Sequence, residues 1–241
     1  MAKLIYDYWF VQFDFPDENG KPYKSSGGKM VYNKELKKHI PYEWKVESIN
    51  DDCLIIDCLH SKKPELQYEN ENYFLLQLEN LDNSGFINIK NKYYVSREMY
   101  ELWTSKTCIK EGDVLITNAG RVGGMARVPK QIVAGIGRNI TAVRPATIPP
   151  TYFYYYITSE DTSRQIKLNT DCGAFFNSFN VKGIKRLLLA IPNNTLLDDY
   201  EIIASSLRKQ SESLFFENIK YNKLRDWLLP MLMNGQVEVT E

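Results

Sequence analysis

A periodic apolar pattern near the C-terminus, from Thr195 to Leu229, constrains this chain more than any other feature. Tyr200, Leu207, Leu214, Tyr221 and Leu228 recur every seven residues; Ile203 and Leu224 occupy the second core position of that heptad, and Gln210 and Glu217 interrupt it. A seven-residue repeat presents one seam of a helix to another helix. Thr195 and Asp198 resemble a capping box, Arg208 and Glu212 have the spacing of an i,i+4 ion pair, and Pro230 and Gly235 are the expected stops. At ~1.5 Å per residue this helix is roughly 50 Å long. A globule of ~150 residues has a radius of gyration near ~15 Å and does not cover such a stripe from end to end. The pattern therefore predicts a second helix as partner; the alternative is a helix lying flat on its own domain.

The 241 residues suffice for one large domain, or one and a half smaller ones, and 16 Tyr, 11 Phe and 4 Trp provide burial that a disordered chain lacks. No run approaches the ~18 apolar residues of a membrane helix, and no basic stretch followed by an apolar core opens the chain. The cysteines Cys53, Cys58, Cys108 and Cys172 show no CxxC spacing. The expectation is a soluble, reduced, cytoplasmic protein with no metal site, no cofactor and no membrane partner. Residues 4–15 are aromatic and fit either a strand or a helix end, and the turn formers from Pro16 to Gly28 make residues 1–40 a packed strap. Val46–Leu59, Tyr73–Leu78 and Val114–Thr117 have strand content, as do residues 132–145 and Leu187–Ile191. Ser96–Ser105 reads as a short helix capped by Ser96, with Met99, Leu102 and Trp103 on one face, and residues 152–168 read as an aromatic helix.

Zero net charge conceals an asymmetry. Residues 46–115 hold 7 basic and 13 acidic side chains, whereas residues 116–190 hold 10 basic and 3 acidic. Between Asp113 and Glu160 there is no carboxylate, yet Arg121, Arg127, Lys130, Arg138 and Arg144 all fall there. Such a region can approach a phosphate backbone, although a buried sheet is also poor in acids. Within it, VLIT runs into Asn118-Ala119-Gly120-Arg121-Val122-Gly123-Gly124, a glycine turn returning through Met125–Val128. The turn lacks the Gly-Lys-Ser/Thr of a phosphate loop and opens no helix. His39 and His60 stand in polar or turn surroundings, and the pairs Asp51-Asp52 and Asp198-Asp199 suit loop and capping roles. No nucleophile–base, zinc or adenine-methylation motif occurs, so the chain is not expected to be an enzyme.

Five stretches give this order of parts a resemblance. They are YDYWFVQFDFPDENGKPYKSSGGKM (6–30), IPYEWKV (40–46), KEGDVLITNAGRVGGMARVP (110–129), CGAFFNSFNVKGIKRLLLAIP (172–192) and KLRDWLLPMLMNGQVEV (223–239). In these the chain resembles one half of a type I restriction–modification specificity subunit; the first and last stretches are the most specific, and residues 47–95 the least recognisable. Lys3-Leu4 before Tyr6-Asp7 echoes Lys223-Leu224 before Asp226-Trp227, as though both ends followed the same kind of helix. In that family two target recognition domains are separated by two antiparallel helices, and the subunit binds DNA with two adenine methyltransferase (modification) subunits, which restriction subunits join.

The resemblance implies an α+β chain in three parts. Residues 1–40 are an N-terminal segment, 41–192 a mixed α/β target recognition domain with a twisted sheet, and 193–241 a long helix and tail forming an antiparallel coiled coil. The implied function is a non-catalytic DNA specificity module; the alternative is a coiled-coil interaction module without DNA binding. The implied partners are double-stranded DNA and the modification and restriction subunits; the unpaired apolar stripe separately predicts a second copy of the chain, paired through Tyr200, Ile203, Leu207, Leu214, Tyr221, Leu224 and Leu228. Candidate DNA contacts are Asn118, Arg121 and Arg127 on the glycine hairpin, Arg138 and Asn139 before the next strand, and Asn177 and Ser178 in the late loop.

Overall fold

The computed structural model describes residues 1–58, 64–66, 72–81, 84–105, 108–172 and 177–236, with only the backbone of Cys172 and Asn177. Leu59, His60, the loop centre 173–176 and the tail beyond 236 lie outside the described residues.

Val114–Thr117 sits inside a four-stranded antiparallel sheet, in the order Cys53–Asp57, Ile140–Pro145, Val114–Thr117, Met125–Arg127. Its side chains alternate between two clusters: Val114 and Ile116 face the larger, Leu115 the smaller. Both faces are covered, so a strand of period two reads as an unbroken apolar run. The glycine hairpin forms as expected, with Val114 opposite Arg127 and Ile116 opposite Met125. A second, mixed sheet joins Tyr93–Tyr94, Phe74–Leu76 and Gly135–Ile136.

Val46–Leu59 does not form one strand. Ser48 accepts a hydrogen bond from the Asn50 N–H and Asp51 accepts one from the Ser48 N–H, which caps a helical turn at Ile49–Asp52. Local side-chain bonds of this kind compete with a strand ladder. The two pieces then pair apart: Lys45–Ser48 with Leu188–Ile191, Cys53–Asp57 with Ile140–Pro145. The aromatic helix also divides, into Pro150–Ile157 and Glu160–Leu168, where Ser159 caps the second piece. In the short helix Arg97–Thr104, Ser96 is the cap and Trp103 is buried, but Leu102 is exposed. The covering residues Leu75 and Val95 lie on the Met99–Trp103 side, and Leu102 stands about 100° away around the helix.

Aromatic residues bind the two chain ends together. The helix Ala2–Tyr6 continues as a π-helical stretch, Asp7–Val11, and brings Tyr6 and Phe10 against Tyr152 and Tyr200. The Tyr200 hydroxyl donates to the Ala2 carbonyl at 3.2 Å. Tyr152 and Tyr156 donate to the Ala190 and Leu188 carbonyls, fixing Pro150–Ile157 to the last strand. The open N–H groups at the start of that helix are met by Glu201, whose carboxylate accepts from the N–H groups of Thr151 and Tyr152.

Glu201 belongs to the C-terminal helix, Asn194–Met233, whose 40 residues make a rod of about 60 Å. Its cap is Asn193, which accepts from the Leu196 N–H at 2.9 Å, so Thr195 already lies inside the first turn, Asp198 lies beyond it, and the two do not form a capping box. Pro230 lies inside the helix without stopping it; Gly235, at a φ of 65°, follows its end. A proline this close to the terminus removes one ladder bond, and the turn beyond it closes through Asn234 N–H to the Pro230 carbonyl.

The helix has two distinct stripes. Leu196, Tyr200, Ala204, Arg208 and Glu212, spaced by four, are buried on the chain's own domain. An i+4 ridge drifts around the helix relative to a heptad seam, so the two separate after Tyr200. Leu207 is half-buried against the core, while Ile203, Leu214, Tyr221 and Leu224 are 42%, 60%, 60% and 45% exposed; Leu228 is half-buried. Tyr200 is fully buried in its own domain and is withdrawn from the expected helix–helix interface. The first half of the rod lies flat, and the second half carries an uncovered seam.

Candidate nucleic-acid interface

Four strand ends, Asp57, Thr117, Met125 and Ile140, meet at one end of the four-stranded sheet, and the glycine turn lies there. Thr117 builds the turn: its hydroxyl accepts from the Gly124 N–H at 2.8 Å and donates to the Arg121 carbonyl. Gly120 and Gly123 have φ of 77° and 82°, conformations that favour glycine. Val122 packs against the larger core, which leaves Arg121 exposed on a fixed turn.

Asn118 joins this turn to two neighbouring segments. Its N–H donates to the Asn139 carbonyl at 2.8 Å, and its carbonyl accepts from the Phe179 N–H at 2.7 Å. Its side-chain Nδ2 donates to Thr141 Oγ1 at 2.6 Å, and that hydroxyl donates to Asp57 Oδ1 at 3.0 Å. A bridge between Ala119 and Ser178 completes the junction with the short ladder of Asp171–Cys172 and Asn177–Ser178. One end of the sheet thus presents Arg121, Arg138, half-buried Asn139, at a φ of 63°, and half-buried Ser178 on segments held in register.

Of the expected DNA contacts, Arg121 and Arg138 are exposed, and among the described residues no carboxylate pairs with either. The Asn177 side chain lies outside what is described. Two expectations need correction. Asn118 is buried, with its Nδ2 bonded to Thr141 and its Oδ1 enclosed without a hydrogen-bond partner, so it holds the loops and does not reach outward. Arg127 is 4% exposed and bonded to Glu212 at 2.9 Å, because its strand is covered by the C-terminal helix. Arg144 is also neutralised, through two bonds to the buried Asp113 that hold its pKa above the ordinary guanidinium value. The acid-free segment therefore exposes Arg121, Lys130 and Arg138.

The organising role of Asn118 has no sequence signal apart from its place at a strand end before glycine. That of Glu212 has one, the i,i+4 spacing to Arg208, which gives no hint of burial. His39 is exposed beside Tyr32, and Asp52 accepts from the Thr147 N–H, which are structural placements. Among the described residues no group of His, Cys, Asp or Glu is arranged to hold a metal ion, and no helix is long and apolar enough to cross a membrane.

No family model matches the chain. It is 22% identical over 249 residues to the type I restriction enzyme MjaIX specificity subunit of Methanocaldococcus jannaschii, covering 100% of this chain and 53% of that protein. The chain thus spans about half the length of the curated relative it matches. Among solved structures, the HsdS subunit from Thermoanaerobacter tengcongensis aligns with a TM-score of 0.47 at 14% identity, over 86% of this chain and 48% of that one. A chain from a structure of type I R-M complex assembly and conformational transition aligns with a TM-score of 0.49 at 15% identity, over 95% and 51%.

Proposed function

We propose that this chain is a non-catalytic DNA specificity module of a type I restriction–modification system, with the form of a half-subunit. Residues 41–192 act as its target recognition domain, 1–40 as an N-terminal segment, and 193–241 as the connecting helix and tail. The observation that carries the reading is the sheet end: three segments held together by Asn118 present Arg121 and Arg138, neither of which is ion-paired with a carboxylate among the described residues. Guanidinium groups on a fixed turn suit phosphate oxygens and guanine edges. Similarity along the whole chain to a specificity subunit supports the same reading.

The uncovered seam supports the second half of the proposal. Ile203, Leu214, Tyr221 and Leu224 would be buried by the same residues of a second copy, giving an antiparallel helix pair and a two-fold dimer. Two identical readers on a rigid spacer recognise an interrupted palindrome, with half-sites about one DNA turn apart. Modification subunits dock on this assembly to methylate adenine, and restriction subunits join them.

Co-expression with a modification subunit, followed by mapping of methylated adenines and duplex titration at several salt concentrations, tests the reading. Affinity that falls steeply with salt and methylation within an interrupted palindrome are expected. A dimer that neither binds duplex nor directs methylation would instead establish a coiled-coil interaction module.

A further inference from the structure

Three side chains left unused by that function meet beneath the long helix. Glu212 Oε1 accepts from Arg127 Nη1 and from Arg208 Nε, each at 2.9 Å, and all three residues are buried. Arg208 also donates to the Gly85 carbonyl at 2.6 Å, and its guanidinium carbon lies 4.3 Å from the Phe86 ring centre and 4.4 Å from that of Tyr154. Phe86 in turn stacks on Phe215 at 4.7 Å.

Two cations and one anion are an unfavourable group to bury, and Arg127 Nε has no acceptor. Apolar side chains of similar volume would pack there with less desolvation. What charged hydrogen bonds add is direction, because a planar guanidinium fixes the approach of its partner. The elements so fixed are the strand leaving the glycine turn and the last buried turn of the helix. Beyond Glu212 no described helix residue is fully buried. Phe215 on Phe86 and Phe216 against the smaller core are the next packed positions, and past them the helix continues to Met233, a lever of roughly 25 Å at about 1.5 Å per residue. A tilt of about 10° at its root moves the far end by about 4 Å, more than the ~3.4 Å between successive base pairs.

We propose that the Arg127–Glu212–Arg208 triad is a positioning device that sets the angle between the DNA-reading sheet end and the free half of the helix, and so the half-site spacing that the paired molecule accepts. The spacing part rests on the function proposed above; the angle does not.

The test uses the full chain, with Glu212→Gln and a triple variant, Arg127→Met, Arg208→Met and Glu212→Leu, that keeps packing while removing the ions. Spin labels incorporated at exposed Val133 and Met233 report the angle as a distance distribution, with labelled chains diluted into unlabelled ones. Methylated-site mapping on duplexes whose spacers differ by one base pair reports the spacing. The expected result is a broadened distribution and acceptance of spacers one base pair shorter or longer, with the triple variant still folded by its thermal midpoint. A wild-type distribution in a folded triple variant overturns the proposal and leaves the triad a stabilising contact only. A broadened distribution with unchanged spacer preference overturns the spacing part. Absence of duplex binding by the wild-type chain counts against the proposed function, and the distance measurement still decides the angle. Glu212→Gln provides the same readings if the triple variant does not fold.

Discussion

Arg127 and Glu212 lie 85 positions apart in the chain and 2.9 Å apart in space, joining the edge strand of the four-stranded sheet to the underside of the C-terminal helix. Removing the carboxylate leaves two guanidinium groups buried without their anion. Glu212→Ala is therefore expected to destabilise the fold by about 3–5 kcal/mol, whereas replacing all three members of the cluster by apolar residues is expected to be close to neutral. Urea unfolding monitored by tryptophan fluorescence measures both, and equal losses for the two variants would contradict the argument.

Arg121 and Arg138 are exposed and among the described residues unpaired, so replacing either by alanine should leave stability within about 0.5 kcal/mol. Cognate duplex binding should weaken by about 1–3 kcal/mol for an arginine that reads guanine, with discrimination relaxed at that base pair. Equal weakening on cognate and scrambled duplexes, with the salt slope reduced by about 1, identifies a phosphate contact instead.

Leu214 and Leu224 are 60% and 45% exposed in the single chain, so glutamate at both should not unfold it. In a pair joined along the seam the same substitutions place like charges at the interface. Light scattering at micromolar concentration is expected to show a wild-type dimer and a folded Leu214→Glu/Leu224→Glu monomer, whose thermal midpoint, unlike that of the dimer, does not depend on protein concentration. A wild-type chain that stays monomeric, alone and with the modification subunit, removes the pairing from the proposal.

Alkaline pH should unfold the protein. Burial raises the pKa values of Tyr6, Tyr152, Tyr156 and Tyr200, with neighbouring tyrosines adding to the shift at Tyr6, Tyr152 and Tyr200, and it pushes the Cys53 thiol up to about 12 with help from Asp52. These acids ionise more readily in the unfolded chain, which then binds fewer protons than the folded one, so stability falls as pH rises above the ordinary thiol and phenol values. Absorbance at 295 nm should show a group of tyrosines that ionise only as the fold is lost. At pH 8 iodoacetamide should modify exposed Cys108 well before Cys53. Smooth titration of every tyrosine before unfolding would contradict the buried cluster.

Much of the local structure was legible because its causes are local. The strand Val114–Thr117, the glycine hairpin, the Ser96 cap and the last strand are determined by alternation, positive-φ glycine and side chains bonding to nearby N–H groups. Sequence pattern and structure differ where two local signals compete. Asn193 capped the helix ahead of Thr195, the capping box at Ser48 broke an apparent strand, and Ser159 divided the aromatic helix. The candidate DNA contacts were less legible, since an arginine at an exposed turn and one beneath a helix have the same letter and charge.

Periodicity and composition along the chain suffice to specify a long amphipathic helix after a strand-rich domain and a run of cations without acids around a glycine turn. Which stripe of the helix the domain covers depends on contacts made between distant segments as the chain folds. Leu196, Tyr200, Ala204, Arg208 and Glu212 form a continuous ridge, but a hydrophobic pattern counts the last two as polar and ends the ridge early. They become buried because Arg127 arrives from a distant strand to satisfy Glu212. Partners that meet only after folding leave no periodic trace in the chain, and here they separate the cations that hold the structure from Arg121 and Arg138, which face outward.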